Sequence, residues 1–198
     1  PVMIYCVTGE TAGQTVALLN IAGYDTKSVS LGWNVGISKV EGVDAVIETT
    51  PNAFDDALKT EIDPAIQEAV VAYYAGLTDV KDTKFANYKI TEDDAKAALD
   101  AKDATITFLD VRKAEDFAKG HIEGAVNIPF GKGMETQFGT LPTDKTIIVY
   151  CYTGQTAGQT VAGLRLLGYD AVSLNSGAGT AATGTAGWTN KGYPLVTN

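Results

Sequence analysis

The fold is decided by residues 147–170, IIVYCYTGQTAGQTVAGLRLLGYD, because this stretch contains one complete structural unit. A β-branched run ends just before Cys151, and a turn rich in Gly and Thr follows. Apolar residues at helical spacing then continue to Gly168, which is typical of a helix C-cap, and DAVSL (170–174) indicates a second strand. Strand, loop, helix and strand form a βαβ unit. The stretch therefore predicts an α/β fold with a parallel central sheet and helices on both faces.

The same unit occurs a second time near the start of the chain, where the run from Val2 to Tyr5, like that from Ile147 to Tyr150, is predicted to be a buried parallel strand. Residues 3–25, MIYCVTGETAGQTVALLNIAGYD, match residues 148–170 at 15 of 23 positions, and Cys6 aligns with Cys151. Agreement over this length indicates an internal duplication. The chain has only these two cysteines. Their equivalent positions favour equivalent roles in separate places over a disulfide between them.

The composition argues against some classes of function. The chain of 198 residues has a net charge of −9 and a pI near 4.5. Nucleic-acid phosphates require a basic face, so nucleic acid is not an expected partner. No apolar run reaches the ~18 residues of a membrane-spanning helix. With one histidine and no CxxC pair, we expect no metal site. The compartment stays open between an exported bacterial protein and a cytoplasmic one.

Residues 88–198 have the pattern of a complete α/β domain, and their length is ordinary for one. Thr91 is a typical helix N-cap, ATITFLDVR (104–112) is typical of a strand, and KAEDFAKG (113–120) indicates a short helix. After the βαβ unit, a Gly-, Ala- and Thr-rich segment leads to Trp188, which we expect to dock on the body of the domain.

Residues 1–50 match only the second half of such a domain. No strand of the DVR type precedes Cys6, and a central parallel strand that starts at Val2 would have unpaired backbone groups along one side. We therefore expect the first domain to lack its N-terminal half, which would lie on residues absent from this chain. Residues 51–87 indicate a helical linker, with Pro64 in a first turn. A permuted domain built from these helices is the rival interpretation.

Three motifs in this order closely resemble the rhodanese (thiosulfate sulfurtransferase) family. Asp110-Val-Arg112 ends a strand, HIEGA (121–125) follows, and the Cys151 loop comes last. The resemblance covers residues 88–198 and, through the duplication, indicates a tandem-domain member. It implies a rhodanese-like fold and a thiosulfate:cyanide type of sulfurtransferase. In this family a cysteine at the tip of the central strand becomes a persulfide and passes its outer sulfur on. The implied partners are a small-molecule sulfur donor and a thiol or cyanide acceptor, and the implied transfer uses no metal and no organic cofactor.

The turn from Cys151 to Thr156 provides a physical basis for this chemistry. Main-chain N–H groups of such a strand-to-helix turn converge on its concave side, and the positive end of the following helix favours an anion there. The Cys151 thiol is expected to ionise more readily than a free thiol, and the same amides can hold the terminal sulfur of a persulfide. Gly154 is expected to take the positive φ that the turn requires. Beyond the catalytic cysteine, the predicted active-site loop comprises Tyr152, Thr153, Gly154, Gln155 and Thr156.

Cys6 is the second candidate nucleophile, below Cys151. Its loop CVTGET is intact, but Glu10 stands where the second copy has Gln155. A nearby carboxylate disfavours both a thiolate and an anionic donor. We therefore expect the second copy to carry the activity.

Other side chains near the loop are candidates for binding, shaping or structural roles. Arg112 is a candidate substrate-binding residue that could attract an anion, and it could instead form a structural bond with Asp110. His121, the single histidine, is expected to make a local hydrogen bond rather than to act as a base. Tyr152 and Gln155 are expected to shape what enters the loop.

A second enzyme class uses similar geometry. Cysteine phosphatases and arsenate reductases carry Cys-(five residues)-Arg, whose guanidinium stabilises the oxyanion. The sixth residue after Cys151 is Ala157, and after Cys6 it is Ala12, so phosphoryl transfer is disfavoured.

The Cys151 loop has no basic residue, which favours polysulfide or a persulfide over thiosulfate as the sulfur donor. The remaining alternatives are a sulfur-carrier or sensing module without turnover and a structural domain with inactive loops.

Overall fold

The computed structural model describes residues 1–53 and 61–197, and within these ranges it contains seven strands and five α-helices. In chain order the strands are β1 (Val2–Ile4), β2 (Thr26–Ser28), β3 (Lys89–Ile90), β4 (Ile106–Asp110), β5 (Val126–Asn127), β6 (Thr146–Tyr150) and β7 (Ala171–Leu174). The α-helices are α1 (Glu10–Ile21), α2 (Pro64–Val80), α3 (Glu92–Asp100), α4 (Ala114–Lys119) and α5 (Gln155–Leu166). Across the described ranges, no helix has the length and apolarity that a membrane crossing demands.

The larger sheet has five parallel strands in the order β3-β7-β6-β4-β5 and is flanked by helices. Its central strand, β6, is covered on both faces, which explains its continuous apolar sequence. Residues 147–150 of this strand are all 0 % exposed. The predicted α/β fold with a parallel central sheet is confirmed. The predicted docking of Trp188 is also confirmed, because its ring is fully buried and meets Phe108 edge-on.

Local sequence signals in residues 88–198 correspond to the observed ends of the helices. The Oγ1 atom of Thr91 accepts a hydrogen bond from the backbone N–H of Asp94 at 3.1 Å, as an N-cap does. Helix α4 ends at Lys119, before Gly120. Gly168 follows α5 with a φ of 89°, a left-handed conformation that suits glycine.

The segment predicted as a helical linker is bound to the body of the protein in its described part. Residues 54–60 of that prediction lie outside the described residues. Helix α2 starts at Pro64, and the Asp63 carboxylate caps its first turn. Tyr73 on α2 is buried, and its carbonyl accepts a hydrogen bond from the Tyr88 hydroxyl at 2.9 Å.

The first copy forms a sheet of its own with only two parallel strands, β1 and β2. Strand β1 was predicted to be buried, and this prediction is wrong: Val2 and Met3 are each 58 % exposed, and Tyr5, just beyond it, is 56 % exposed. The reason is the surroundings of the strand. Strand β6 has neighbours on both sides, whereas β1 pairs on one side only among the described residues.

The two copies pack against each other through the helices that follow their cysteine loops. Helices α1 and α5 cross at two glycines, where their backbones come into contact. A β-carbon at Gly13 would lie 2.6 Å from the carbonyl oxygen of Gln155, and one at Gly158 would lie 2.7 Å from that of Glu10. Only glycine allows so close an approach. The crossing therefore brings the N-terminal ends of both helices, and the loops in front of them, together.

Candidate active site

The Cys151 loop joins the end of β6 to the start of α5. The Cys151 residue is 2 % exposed, and the backbone N–H of Gly154 donates to its Sγ atom at 3.1 Å. Gly154 is the N-cap of α5, and its φ of 87° confirms the predicted positive value. The thiol thus faces a main-chain amide at the positive end of a helix, which is an arrangement that suits an anion.

A small cavity lies beside this loop. It has a volume of about 280 Å³ and is lined by Arg112, Asp116, Lys119, Gly120, Tyr152 and Leu195. Cys151 does not line it, but the neighbouring Tyr152 does. The Tyr152 hydroxyl donates to Asp116 at 2.5 Å and accepts from the Lys113 backbone N–H at 3.3 Å. Burial and the bond to Asp116 raise the pKa of Tyr152. Two residues expected from the sequence, Arg112 and Tyr152, are therefore brought together.

Arg112 forms the structural bond that was one of its two predicted roles. Its Nη2 atom donates to the Asp110 carboxylate at 2.6 Å and to the Gly120 carbonyl at 2.7 Å, and its Nε atom also donates to Asp110, at 3.0 Å. Burial alone would lower the pKa of Arg112, but the hydrogen bonds and charge of Asp110 outweigh it and raise the pKa. Because Arg112 also lines the cavity, its role in attracting an anion stays a prediction.

His121 makes the local contacts expected of it. Its Nδ1 atom lies 3.0 Å from the carbonyl oxygen of Phe117, and the two rings stack with their centroids 3.8 Å apart. Its backbone N–H donates to the carbonyl of Val196 at 3.0 Å. These contacts tie the C-terminal segment to the end of α4.

The Cys6 loop has the same backbone form, and its thiol is partly exposed. The backbone N–H groups of Gly9 and Ala12 lie 3.0 and 3.4 Å from the Cys6 Sγ atom. Burial raises the pKa of Cys6, but hydrogen bonds from the Thr11 side chain and from backbone amides outweigh it, so the pKa falls below its ordinary value. The expectation that a carboxylate would disfavour the thiolate at Cys6 is therefore wrong, because the groups that face its Sγ atom stabilise a negative charge.

Glu10 is the first residue of α1, and Gln155 is the first residue of α5. Each was expected to act on the cysteine loop of its own copy, and both expectations are corrected, because each side chain reaches into the other copy. The Glu10 carboxylate does not act on Cys6: its Oε1 atom accepts a hydrogen bond from the backbone N–H of Ser176, in the second copy, at 2.8 Å. The Gln155 side chain contacts Gly9 of the first copy and so contributes to the Cys6 loop. No sequence signal marks this exchange, since it follows from the crossing of α1 and α5.

The lowered pKa of Cys6 leads to a prediction about its reactivity. Only the thiolate is alkylated, so the rate at which iodoacetamide labels Cys6 should reach half its maximum at a lower pH than for a free cysteine peptide. Labelling followed by peptide mass spectrometry over a pH series measures this. A midpoint at or above that of the free peptide would contradict the prediction.

Comparison of the sequence with known proteins finds relatives in one family. The Rhodanese-like domain family matches residues 91–181. Thiosulfate sulfurtransferase PspE of Escherichia coli is 38 % identical over 72 residues, which are 35 % of this chain and 68 % of PspE. The tRNA sulfurtransferase of Shewanella piezotolerans is 34 % identical over 139 residues, 68 % of this chain but only 26 % of that protein. YrkF of Bacillus subtilis, described as a candidate sulfur carrier protein, is 29 % identical over 89 residues, 45 % of this chain and 44 % of YrkF. The chain belongs to the rhodanese family.

Proposed function

We propose that this protein is a sulfurtransferase that carries sulfane sulfur as a persulfide on Cys151. The observation that carries the proposal is the position of the thiol, which ends the central strand and receives the Gly154 amide at the N-terminus of α5. Relatives named as sulfurtransferases support the same class of activity.

The reaction has two displacement steps. The Cys151 thiolate attacks the sulfane sulfur of the donor, a new S–S bond forms, and the donor bond breaks with its electron pair leaving on sulfite or on a shortened polysulfide. A thiol or cyanide then attacks the outer sulfur, and Cys151 leaves as the thiolate. The Gly154 amide can hold the charged sulfur in either state.

The cavity beside the loop is poorly suited to thiosulfate, which is a compact dianion. Both of its cations are paired, since Arg112 binds Asp110 and Lys119 lies 2.8 Å from Asp116. Little unpaired positive charge therefore faces a thiosulfate dianion, and the chain as a whole carries a net charge of −9. We propose a persulfide, whose reacting group carries at most one negative charge, or polysulfide, whose two charges lie at opposite ends of a sulfur chain, as the better donor, with thiosulfate as the weaker one.

A turnover assay tests this function. Purified protein is mixed with thiosulfate or polysulfide and with cyanide, and thiocyanate is measured. We expect thiocyanate from both donors and a higher kcat/KM with polysulfide. Absence of turnover with every donor would contradict the proposal.

A sulfur carrier is the second candidate function, favoured by the similarity to YrkF and by the burial of Cys151, which would protect a stored persulfide. It predicts that intact-mass measurement finds one added sulfur atom per chain after exposure to donor, with no turnover when cyanide is supplied. Turnover in the same assay excludes this candidate.

We further propose that residues 1–50 are half of a second rhodanese domain, as in a tandem arrangement. Strand β1 has the same sequence character as β6, yet its apolar side chains are exposed and its second edge is unpaired among the described residues. A strand like β4 would pair with the free edge, and helices on the faces of the completed sheet would cover the apolar side chains. The mass of the protein isolated from its natural source tests this proposal: a value above 20.8 kDa is expected, and a value of 20.8 kDa would contradict it.

A further inference from the structure

Glu10 belongs to the first copy, but its carboxylate lies inside the second. The residue is 2 % exposed, and its Oε1 atom accepts the Ser176 backbone N–H at 2.8 Å. Its Cγ and Cδ atoms lie 2.8 and 2.9 Å from the point where a β-carbon of Gly154 would be. The side chain therefore fills the space between the Cys151 loop and the segment that follows β7.

The segment that follows β7, residues 174–177, is called the Ser176 turn. The residues next to it form hydrogen bonds with the backbone of the Cys151 loop. Directly after it, the backbone N–H of Ala178 donates to the carbonyl of Cys151 at 2.7 Å, and that of Gly179 donates to the carbonyl of Tyr152 at 3.0 Å. These two bonds connect the turn to the backbone of Cys151 and of Tyr152.

The turn has an unfavourable backbone conformation. Ser176 has a φ of 54°, in the left-handed region that residues with a β-carbon rarely adopt, and Gly177 follows with a φ of 56°. Such a conformation persists only where surrounding contacts enforce it. The hydrogen bond from the Ser176 N–H to Glu10 is one such contact, and it ends on a carboxylate, which makes it stronger than a bond to a neutral acceptor.

The first copy has the same turn without this charged contact. Leu31 and Gly32 take the corresponding left-handed conformations, with φ values of 60° and 58°. Gln155 occupies the place equivalent to Glu10, and its Nε2 atom is buried without a hydrogen-bond partner among the described residues. The charged support is therefore specific to the Cys151 loop.

Burying a carboxylate is costly, and the charges around Glu10 offset only part of that cost. Burial raises the pKa of Glu10, whereas Lys89 and the Ser176 amide lower it, and Glu92 adds a small increase. The Lys89 ammonium is 3.3 Å from the Oε2 atom, an ion pair without hydrogen-bond geometry. A group retained at such a cost requires a compensating role.

We propose that Glu10 is a positioning residue for Cys151: through the Ser176 turn, this side chain of the first copy holds the loop of the second copy in its reactive form. The first copy is then part of the Cys151 site even if Cys6 transfers no sulfur. The effect on catalysis rests on the proposed function, but the effect on the loop does not.

The test compares three variants at Glu10. Glu10→Ala removes the acceptor, Glu10→Asp keeps the charge but falls one carbon short of Ser176, and Glu10→Gln keeps an oxygen at the right distance. Lys89 is one-quarter exposed at its side chain and can turn towards water when the charge is removed. The matched control is Gln14→Ala on the same helix, which removes a buried side chain bonded to the Asn87 carbonyl at 3.1 Å and leaves the turn untouched.

Two measurements are made on each variant: the rate of iodoacetamide labelling at each cysteine, and kcat and KM for sulfur transfer. In Glu10→Ala and Glu10→Asp, we expect Cys151 to be labelled roughly tenfold faster because its loop opens, and kcat to fall roughly tenfold because the thiol is misplaced. Labelling of Cys6 should stay unchanged. Glu10→Gln should restore both quantities to within about twofold of the parent protein.

Three results would overturn the inference. These are unchanged Cys151 labelling in Glu10→Ala, an equal change in Gln14→Ala, or failure of Glu10→Gln to restore what Glu10→Asp loses. Should Glu10→Ala not fold, the Asp and Gln variants still decide the question. If labelling changes as expected but the parent protein transfers no sulfur, the proposed function fails and the structural role of Glu10 stands.

Discussion

Replacing Cys151 with serine is expected to abolish sulfur transfer, with a loss of at least roughly 10⁴-fold in kcat, because removing a covalent nucleophile has effects of this size. A serine hydroxyl in the same loop ionises far less readily and forms no persulfide. The change is small in volume, so the fold should persist. Thiocyanate formation measures the loss, and peptide mass spectrometry after exposure to polysulfide should find added sulfur at Cys151 in the parent protein and none at residue 151 in the variant.

The matched variant, Cys6→Ser, is expected to retain most of the activity. Cys6 has the lowered pKa, but an ionised thiol is only one requirement for transfer. The second requirement is a cavity that can hold the donor, and Arg112 and Tyr152 line the cavity beside the Cys151 loop. In the first copy Tyr5, the counterpart of the fully buried Tyr150, is 56 % exposed. Equal losses from the two serine variants would show that this ranking of the cysteines is wrong.

The parts of the structure that were predictable from the sequence depend on local signals. The Thr91 cap, the left-handed Gly154 and the alternation of strand and helix in residues 147–174 each follow from residues within one or two turns of one another. Such signals act whatever surrounds them, and therefore the α/β fold and the cysteine loop were both predictable.

The incorrect predictions concern surroundings rather than local conformation. Strand β1 resembles β6 in sequence and was therefore predicted to be buried. The exposure of its side chains, however, depends on the strands and helices around it, which the sequence of the strand itself does not contain. Glu10 was assigned to the loop in which it stands in the sequence, whereas the crossing of α1 and α5 at Gly13 and Gly158 directs it into the other copy. The contact between Tyr152 and Asp116 was missed for the same reason, because it joins residues 36 positions apart.

Replacing Asp110 with alanine is expected to lower the free energy of unfolding by about 3–5 kcal/mol, since it leaves a buried cation unpaired. The Asp110 side chain is 0 % exposed and that of Arg112 is 7 % exposed, so water cannot take the place of the lost carboxylate. Asp110 also accepts the backbone N–H of Arg112 at 2.8 Å, and this bond is lost as well. Urea denaturation of the variant and the parent protein measures the difference.

Two further variants separate the buried charge from other effects of the substitution. Asp100→Ala removes one partner of the exposed pair with Lys96 on α3, and it should cost less than about 1 kcal/mol because solvent screens that pair. The double variant Asp110→Ala with Arg112→Met removes the unpaired cation too and should regain a large part of the lost stability. If Asp110→Ala costs no more than Asp100→Ala, the pair does not stabilise this end of β4. If the double variant is less stable than the single one, the loss comes from packing rather than from the unpaired charge.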